Sequence, residues 1–198
     1  MKEDTLVVHE IYASVQGEST FAGVRCAFVR LTGCNLRCSW CDTPQAFYKG
    51  TRLPRRDVLE RALSLDTPIV ELTGGEPLLQ PGVFPLLAEL CDAGKVVLVE
   101  TSGEADVSRV DPRVRRIMDL KAPGSNESHR NRYENLACLN ERDEIKFVLA
   151  DRRDYEWMRD IIANKGLATL GPELLASCVW GSLAPKDLVA WVIEDKLP

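Results

Sequence analysis

The chain has 198 residues, 45% of them hydrophobic, enough for one domain with an ordinary core, and carries a formal net charge of −5 with a pI near 5.2. That acidic balance argues against a surface that grips a nucleic-acid backbone, and no apolar run approaches the roughly 18 residues a membrane span needs. Seven cysteines, an odd count, follow a start (MKEDTLVVHEIY) that is acidic and then alternating rather than a signal peptide, so the expected home is the reducing cytoplasm.

In chain order, VVHEIYASV (7–15) reads as a first strand and VRCAFVRLTG (24–33) as a second, leading into the polar loop CNLRCSWCDT (34–43). LPRRDVLERALSL (53–65) has helical spacing at Val58, Leu59, Ala62, Leu63 and Leu65, and Pro54 suits a helix start. Strand and helix then alternate: TPIVELTGGEP, FPLLAELCDAG closed by Asp92-Ala93-Gly94, KVVLVETSG, RRIMDLKAPGS, DEIKFVLADRR, DYEWMRDIIANKG and a last helix near APKDLVAWVIED. The basic run of Arg113, Arg115 and Arg116 reads as a solvated face. Cys26, Cys91, Cys138 and Cys178 read as small buried apolar residues.

This alternation predicts one α/β domain spanning residues 1–198, with parallel strands joined by right-handed crossovers. A closed eight-fold barrel takes about 250 residues. Six or seven strands therefore suggest a partial, open β/α barrel of about six strands. The alternative, a doubly wound sheet, lacks a glycine-rich dinucleotide fingerprint after the first strand. The polar residues fall in turns after strands: Thr73 to Glu76, Glu100 to Gly103, Asp119 to Lys121, and Asp151. In such folds that edge of the sheet binds ligands.

Cys34, Cys38 and Cys41 place three thiols within eight residues. A closed zinc site takes four ligands, yet the only histidines are His9 and His129, and no second cysteine pair accompanies the triplet. Asn35, Arg37, Ser39 and Asp42 make the loop polar, unlike a core strand. The remaining reading is a four-iron cluster on three thiolates, whose fourth iron stays open to a small molecule. The spacing C-x3-C-x2-C, with Trp40 before the last cysteine, resembles the signature of the radical S-adenosylmethionine enzymes. The resemblance implies that the methionine amino and carboxylate groups chelate the open iron, and that an electron then cleaves the sulfonium to a 5′-deoxyadenosyl radical. LTGGEPLL (72–79) alone is either a strand–helix turn or a ligand contact. After the cysteine loop, its Gly74, Gly75 and Glu76 match that superfamily's contact to the methionine amino group.

IYASVQGESTFAGVRCAFVRLTGCNLRCSWCDT (11–43) closely resembles the 7-carboxy-7-deazaguanine synthase family, and the likeness continues through ELTGGEPLLQP, VLVETSG, MDLKAPGS, EIKFVLAD and WGSLAPKDLVAWVIEDKLP. The resemblance implies a trimmed barrel, a homodimer, magnesium, and a carbon–nitrogen lyase that converts 6-carboxy-5,6,7,8-tetrahydropterin to 7-carboxy-7-deazaguanine with loss of ammonia, on the route to queuosine and other deazapurines. An electron donor such as flavodoxin or ferredoxin is expected. The implied reaction abstracts hydrogen from C6 of the pterin, contracts the ring and returns the hydrogen. Arg30 would hold the substrate carboxylate with a bidentate fork, and Gln16 and Glu18 would meet the pterin's amide edge. Val15, Gly17 and Thr73 are implied substrate contacts, Thr43 a magnesium ligand, and Gly75, Glu100, Asp119 and Lys121 cofactor contacts, with Glu100 suited to ribose hydroxyls. Two departures stand out: Cys178 occupies a place where proline is expected, and the expected C-terminal closing segment does not follow Pro198. The alternatives are a glycyl-radical-enzyme activase, which has the same cluster loop, and a non-enzymatic iron–sulfur or zinc module.

Overall fold

The computed structural model describes residues 4–197. Packing divides the chain into two compact units. The first holds residues up to Asn35, Asp42–Thr101 and Ala105–Ile117; the second holds Leu36–Cys41, Ser102–Glu104 and the chain from Met118 onward.

In the first unit, β1 (Thr5–Val15) turns back into β2 (Arg25–Leu31), and a short β3 (Thr51–Pro54) pairs with the start of β1, both antiparallel. Then come α1 (Arg55–Ser64), β4 (Ile69–Gly74), α2 (Val83–Asp92) and β5 (Val96–Thr101), with β4 parallel to both β2 and β5. Helix α2 buries Val83, Leu86, Leu87 and Leu90, one face at helical spacing, whereas α1 fully buries only Val58 and Ala62. Cys26, Phe28, Ile69, Leu98 and Ile117 form an apolar cluster, with Tyr12 and Phe21 packed on it. Tyr12 stacks on Phe28 at 5.2 Å between ring centroids.

Strand β6 (Arg115–Asp119) begins in the first unit and ends in the second. The second unit adds β7 (Glu144–Leu149), α3 (Arg152–Lys165), β8 (Glu173–Cys178), parallel to β7, and α4 (Pro185–Asp195). Asp151 caps α3 by accepting from the Asp154 amide at 3.0 Å. Tyr155, wholly buried, donates to the Trp191 carbonyl at 2.8 Å or to Asp195 at 2.9 Å, which ties α3 to α4.

The strands form one sheet in the order β3-β1-β2-β4-β5-β6-β7-β8, an open and mostly parallel α/β arrangement of the expected kind. Among the described residues it has eight strands rather than about six. The two extra ones carry weak patterns: TRLP is four residues long, and ELLASC is nowhere fully buried. The basic run is not a uniform solvated face. Arg116 is buried, because it lies within β6; Arg115 covers the Phe21 ring, and Arg113 pairs with Asp92 and Asp111. Of the four cysteines outside the loop only Cys26 is fully buried, its thiol pushed up to about 12, chiefly by burial; Cys91, Cys138 and Cys178 keep partial access to solvent. Among the described residues no helix is long and apolar enough to cross a membrane.

Leu98 is a fully buried member of the first unit's apolar cluster. Leu98→Ala should therefore cost about 2–5 kcal/mol of stability, read as a lower thermal midpoint of the apoprotein.

Candidate active site

Register arranges the first unit's contribution. Across β2 and β4 the partners are Cys26 with Ile69, Phe28 with Glu71, and Arg30 with Thr73; across β4 and β5, Glu71 stands beside Leu98. Alternate residues share a face, so one face changes from apolar at the strand starts to polar at the strand ends. At its polar end the Thr73 hydroxyl donates to Glu100 Oε2 at 3.1 Å. Arg30 donates to Glu10 at 2.8 Å and to the Tyr12 hydroxyl at 3.2 Å. Burial opposes its charge, but the hydrogen bonds to Glu10 and Tyr12 outweigh this and raise its pKa further. Gln16 is buried: its amide nitrogen donates to Glu71, and its oxygen accepts from the Glu18 amide at 3.1 Å. Both ends of the Gln16 side chain are thus oriented, while Val15, Gly17 and Glu18 beside it are exposed.

The loop between β2 and β3 starts against the end of β4. The Gly75 and Glu76 amides donate to the Leu31 and Gly33 carbonyls at 3.2 and 2.8 Å. A Cβ on Gly75 would stand 2.2 Å from the Gly33 carbonyl oxygen and 2.8 Å from Cys34 Cβ, and Gly74 has φ +144°. Only glycines allow this approach. Glu76 is 1% exposed; its carboxylate accepts from the Leu78 amide at 3.0 Å and from the Thr101 hydroxyl. Thr43 donates to its neighbour Asp42 at 2.9 Å rather than to another expected site residue.

In the second unit, Lys121 Nζ lies 2.7 Å from Asp119 Oδ2. Asn131 clamps the Lys121 backbone on both sides, accepting from its amide at 2.8 Å and donating to its carbonyl at 2.9 Å. Burial would lower the Lys121 pKa, but Asp119 and then Cys38 reverse this and raise it. The other oxygen, Asp119 Oδ1, is buried with no hydrogen-bond partner among the described residues. Trp40 lies against Gly124, within 2.9 Å of where a Cβ would stand.

The donor set fits an iron–sulfur cluster. Cys34, Cys38 and Cys41 are free thiols with partial access to solvent, and Cys38 is near enough to Lys121 to interact with its ammonium group. Among the described residues no three His, Cys, Asp or Glu groups gather as a single ion requires. A four-iron cluster makes a different demand, since each thiolate takes its own iron. The expected residues thus come together as Thr73 with Glu100, Gln16 with Glu18, Gly75 with Cys34, and Asp119 with Lys121. Sequence reasoning missed Glu71 and Asn131, and marked Thr101 only as part of a polar turn after a strand. Glu71 did leave a signal: a carboxylate inside an apolar strand, two residues before Thr73 on the same face.

Residues 28–124 match the model of the Radical SAM superfamily. The chain is 47% identical to the 7-carboxy-7-deazaguanine synthase of Chlorobaculum tepidum, over 99% of this chain and 90% of that one. It is 41% identical to the synthase of the same name from Koribacter versatilis, over 96% and 90%. In fold it is similar to the crystal structure of QueE from Escherichia coli, with a TM-score of 0.78 at 24% identity, covering 97% of this chain and 91% of that one. The chain belongs to the 7-carboxy-7-deazaguanine synthase family of the radical SAM superfamily, which decides against the activase and passive-module alternatives.

Proposed function

We propose that this chain converts 6-carboxy-5,6,7,8-tetrahydropterin to 7-carboxy-7-deazaguanine with loss of ammonia, acting as a carbon–nitrogen lyase in the cytoplasm on a small-molecule substrate. The observation that carries the reading is the polar face built from Arg30, Thr73 and Glu100, with the doubly oriented Gln16. In a family that uses a 4Fe-4S cluster and S-adenosylmethionine, these groups offer what a carboxylated pterin needs: a fixed cation and directional hydrogen bonds.

Cys34, Cys38 and Cys41 would hold the cluster, which when bound supplies the electron that opens the sulfonium of S-adenosylmethionine. Gly74 and Gly75 let the backbone come close enough to receive the methionine moiety, with Glu76 pinned beneath it by Leu78 and Thr101. Glu100, already accepting from Thr73, keeps capacity for a ribose hydroxyl. Asp119 Oδ1 is a buried acceptor suited to a ligand's donor, and Lys121 pairs with the other oxygen of that carboxylate. Trp40 offers an aromatic face. Arg30 turns from Glu10 toward the substrate carboxylate, Gln16 and Glu18 meet the amide edge, and the backbone from Val15 to Gly17 lies alongside. Thr43 is a hydroxyl ligand of the kind magnesium accepts among waters and a substrate carboxylate. A homodimer accords with the exposure of Trp180, Val189 and Ile193 on the second unit. A flavodoxin or ferredoxin would deliver the electron.

The test is anaerobic reconstitution with iron and sulfide, then reductant, S-adenosylmethionine and magnesium, with and without the pterin. Mass spectrometry follows 5′-deoxyadenosine and the deazaguanine acid. Deazaguanine only with the pterin is expected; cofactor cleavage without deazaguanine would overturn the substrate assignment. Arg30→Ala should raise KM for the pterin roughly thirtyfold or more, as loss of one partner of a charged pair does, with the KM for S-adenosylmethionine unchanged. Gly75→Ala should lower kcat/KM about a hundredfold, the cost of displacing a site by an ångström. Omitting magnesium should reduce deazaguanine formation without bleaching the cluster absorbance.

A further inference from the structure

Ser39 and Trp40 separate the last two cysteines of the loop, and the stretch from Arg37 to Trp40 is held from outside. The Ser39 amide donates to the Ser125 carbonyl at 3.1 Å, its hydroxyl to the Gly124 carbonyl at 2.7 Å, and the Arg37 amide to Glu127 Oε1 at 2.5 Å. The turn that accepts these bonds is closed on itself, since both the amide and the hydroxyl of Ser125 donate to the Ala122 carbonyl, at 3.0 and 2.6 Å. Its own anchor lies elsewhere. The Gly124 amide donates to Asp154 Oδ1 at 2.8 Å, and Asp154 Oδ2 accepts from the Ala150 amide at 3.0 Å.

Asp154 is 1% exposed, so its carboxylate is held out of water at a cost that hydrogen bonds must offset. Helix capping does not explain it. Asp151 already caps α3, and the amide of Asp154 itself is the donor in that cap. Instead, both carboxylate oxygens are directed at backbone amides outside the helix, one of them in the turn under the cysteine loop. Gly124 is pressed between the carboxylate and the indole: a Cβ there would stand 2.6 Å from Asp154 Oδ2 and 2.9 Å from the Trp40 ring. Charge-assisted bonds of this kind are short and directional, so Asp154, Gly124 and Trp40 form one rigid stack.

We propose that Asp154 is a positioning residue for the iron–sulfur cluster. Through Gly124 it sets where Ser39 and Trp40 stand, and so where Cys38 and Cys41 present their sulfurs. The proposal rests on the reading that these cysteines hold the cluster. Asp154→Asn keeps the volume but places an amide NH2 against one of the two backbone amides, which no longer finds an acceptor. Ser39→Ala releases the same turn from its exposed side, where the fold is not at risk.

The experiment uses reconstituted full-length protein: wild type, Asp154→Asn, Ser39→Ala and, as a control for general destabilisation, Leu98→Ala. Two quantities are followed: the rate at which cluster absorbance is lost in air, and the electron paramagnetic resonance spectrum of the reduced cluster with and without S-adenosylmethionine. Circular dichroism of each apoprotein reports folding. Asp154→Asn and Ser39→Ala are expected to lose the cluster about tenfold faster or more and to alter the spectrum with S-adenosylmethionine bound. Leu98→Ala is expected to keep the wild-type rate and spectrum despite its lower melting point. Wild-type rate and spectrum in Asp154→Asn, or in Ser39→Ala if the first does not fold, overturns the proposal. Equal cluster loss in Leu98→Ala overturns it too, because the effect would then follow stability alone. A wild-type chain that takes up no cluster overturns the functional reading itself, before any variant is compared.

Discussion

A side chain at position 75 would drive its Cβ to within 2.2 Å of the Gly33 carbonyl oxygen, and one at position 74 to the same distance from the Leu31 carbonyl oxygen. The end of β4 can therefore lie against the end of β2 only because two successive residues carry no side chain. That approach lets main-chain amides of Gly75 and Glu76 bond the carbonyls of Leu31 and Gly33, immediately before Cys34. The first thiol is thus braced by backbone rather than by side chains, which would bring rotamer freedom with them. One steric constraint places Cys34 and the Gly74-Gly75 turn together.

The rest of the first unit's polar chemistry follows from burial. Glu71 and Glu76 are each 1% exposed, and an unsatisfied carboxylate in such a place would take up a proton instead of staying charged. Donors are supplied from distant parts of the chain, Gln16 to Glu71 and Thr101 to Glu76, and the nearby Leu78 amide adds a further bond to Glu76. Each bond holds the donor as firmly as the acceptor. Gln16 is oriented because Glu71 is buried, so a carboxylate that faces no solvent sets the direction of a side chain 55 residues away. In the second unit, Asp119 departs from this rule, with one oxygen on Lys121 and the other buried without a donor. A ligand that brings the missing donor recovers a desolvation cost already incurred by folding.

What was legible in the sequence was whatever covalent spacing or local periodicity encodes. Three cysteines within eight residues, and GGEP after a strand, announce themselves because their function depends on neighbours in the chain. The four helices follow from apolar spacing and end signals such as Asp92-Ala93-Gly94. Strand β3 escaped because four residues carry too little pattern, and β8 because none of its residues is fully buried and so no apolar alternation marks it. Arg116 was misread since a charge is normally solvated, and only the strand's place in the sheet buries it. The roles of Glu71 and Asp154 were harder to read for a further reason. Their partners, Gln16 and Gly124, lie 55 and 30 residues away, so no local pattern contains both halves of either interaction.

Those long-range bonds act on a different quantity from the core. A folded domain holds about 5–15 kcal/mol in reserve against unfolding, so a core change that costs two or three leaves nearly every molecule folded. Geometry has no such reserve: a displacement of about 1 Å at a reacting centre costs roughly a hundredfold in rate. With bond-breaking assigned to cluster and cofactor, the protein's contribution is where it holds them and how little they move. This accounts for a costly buried carboxylate beneath the cysteine loop, on a helix that Asp151 already caps. An apolar residue at position 154 would spare the desolvation and pack as well. It would offer no acceptor to the Gly124 amide, and the turn beneath Ser39 and Trp40 would lose its fixed point.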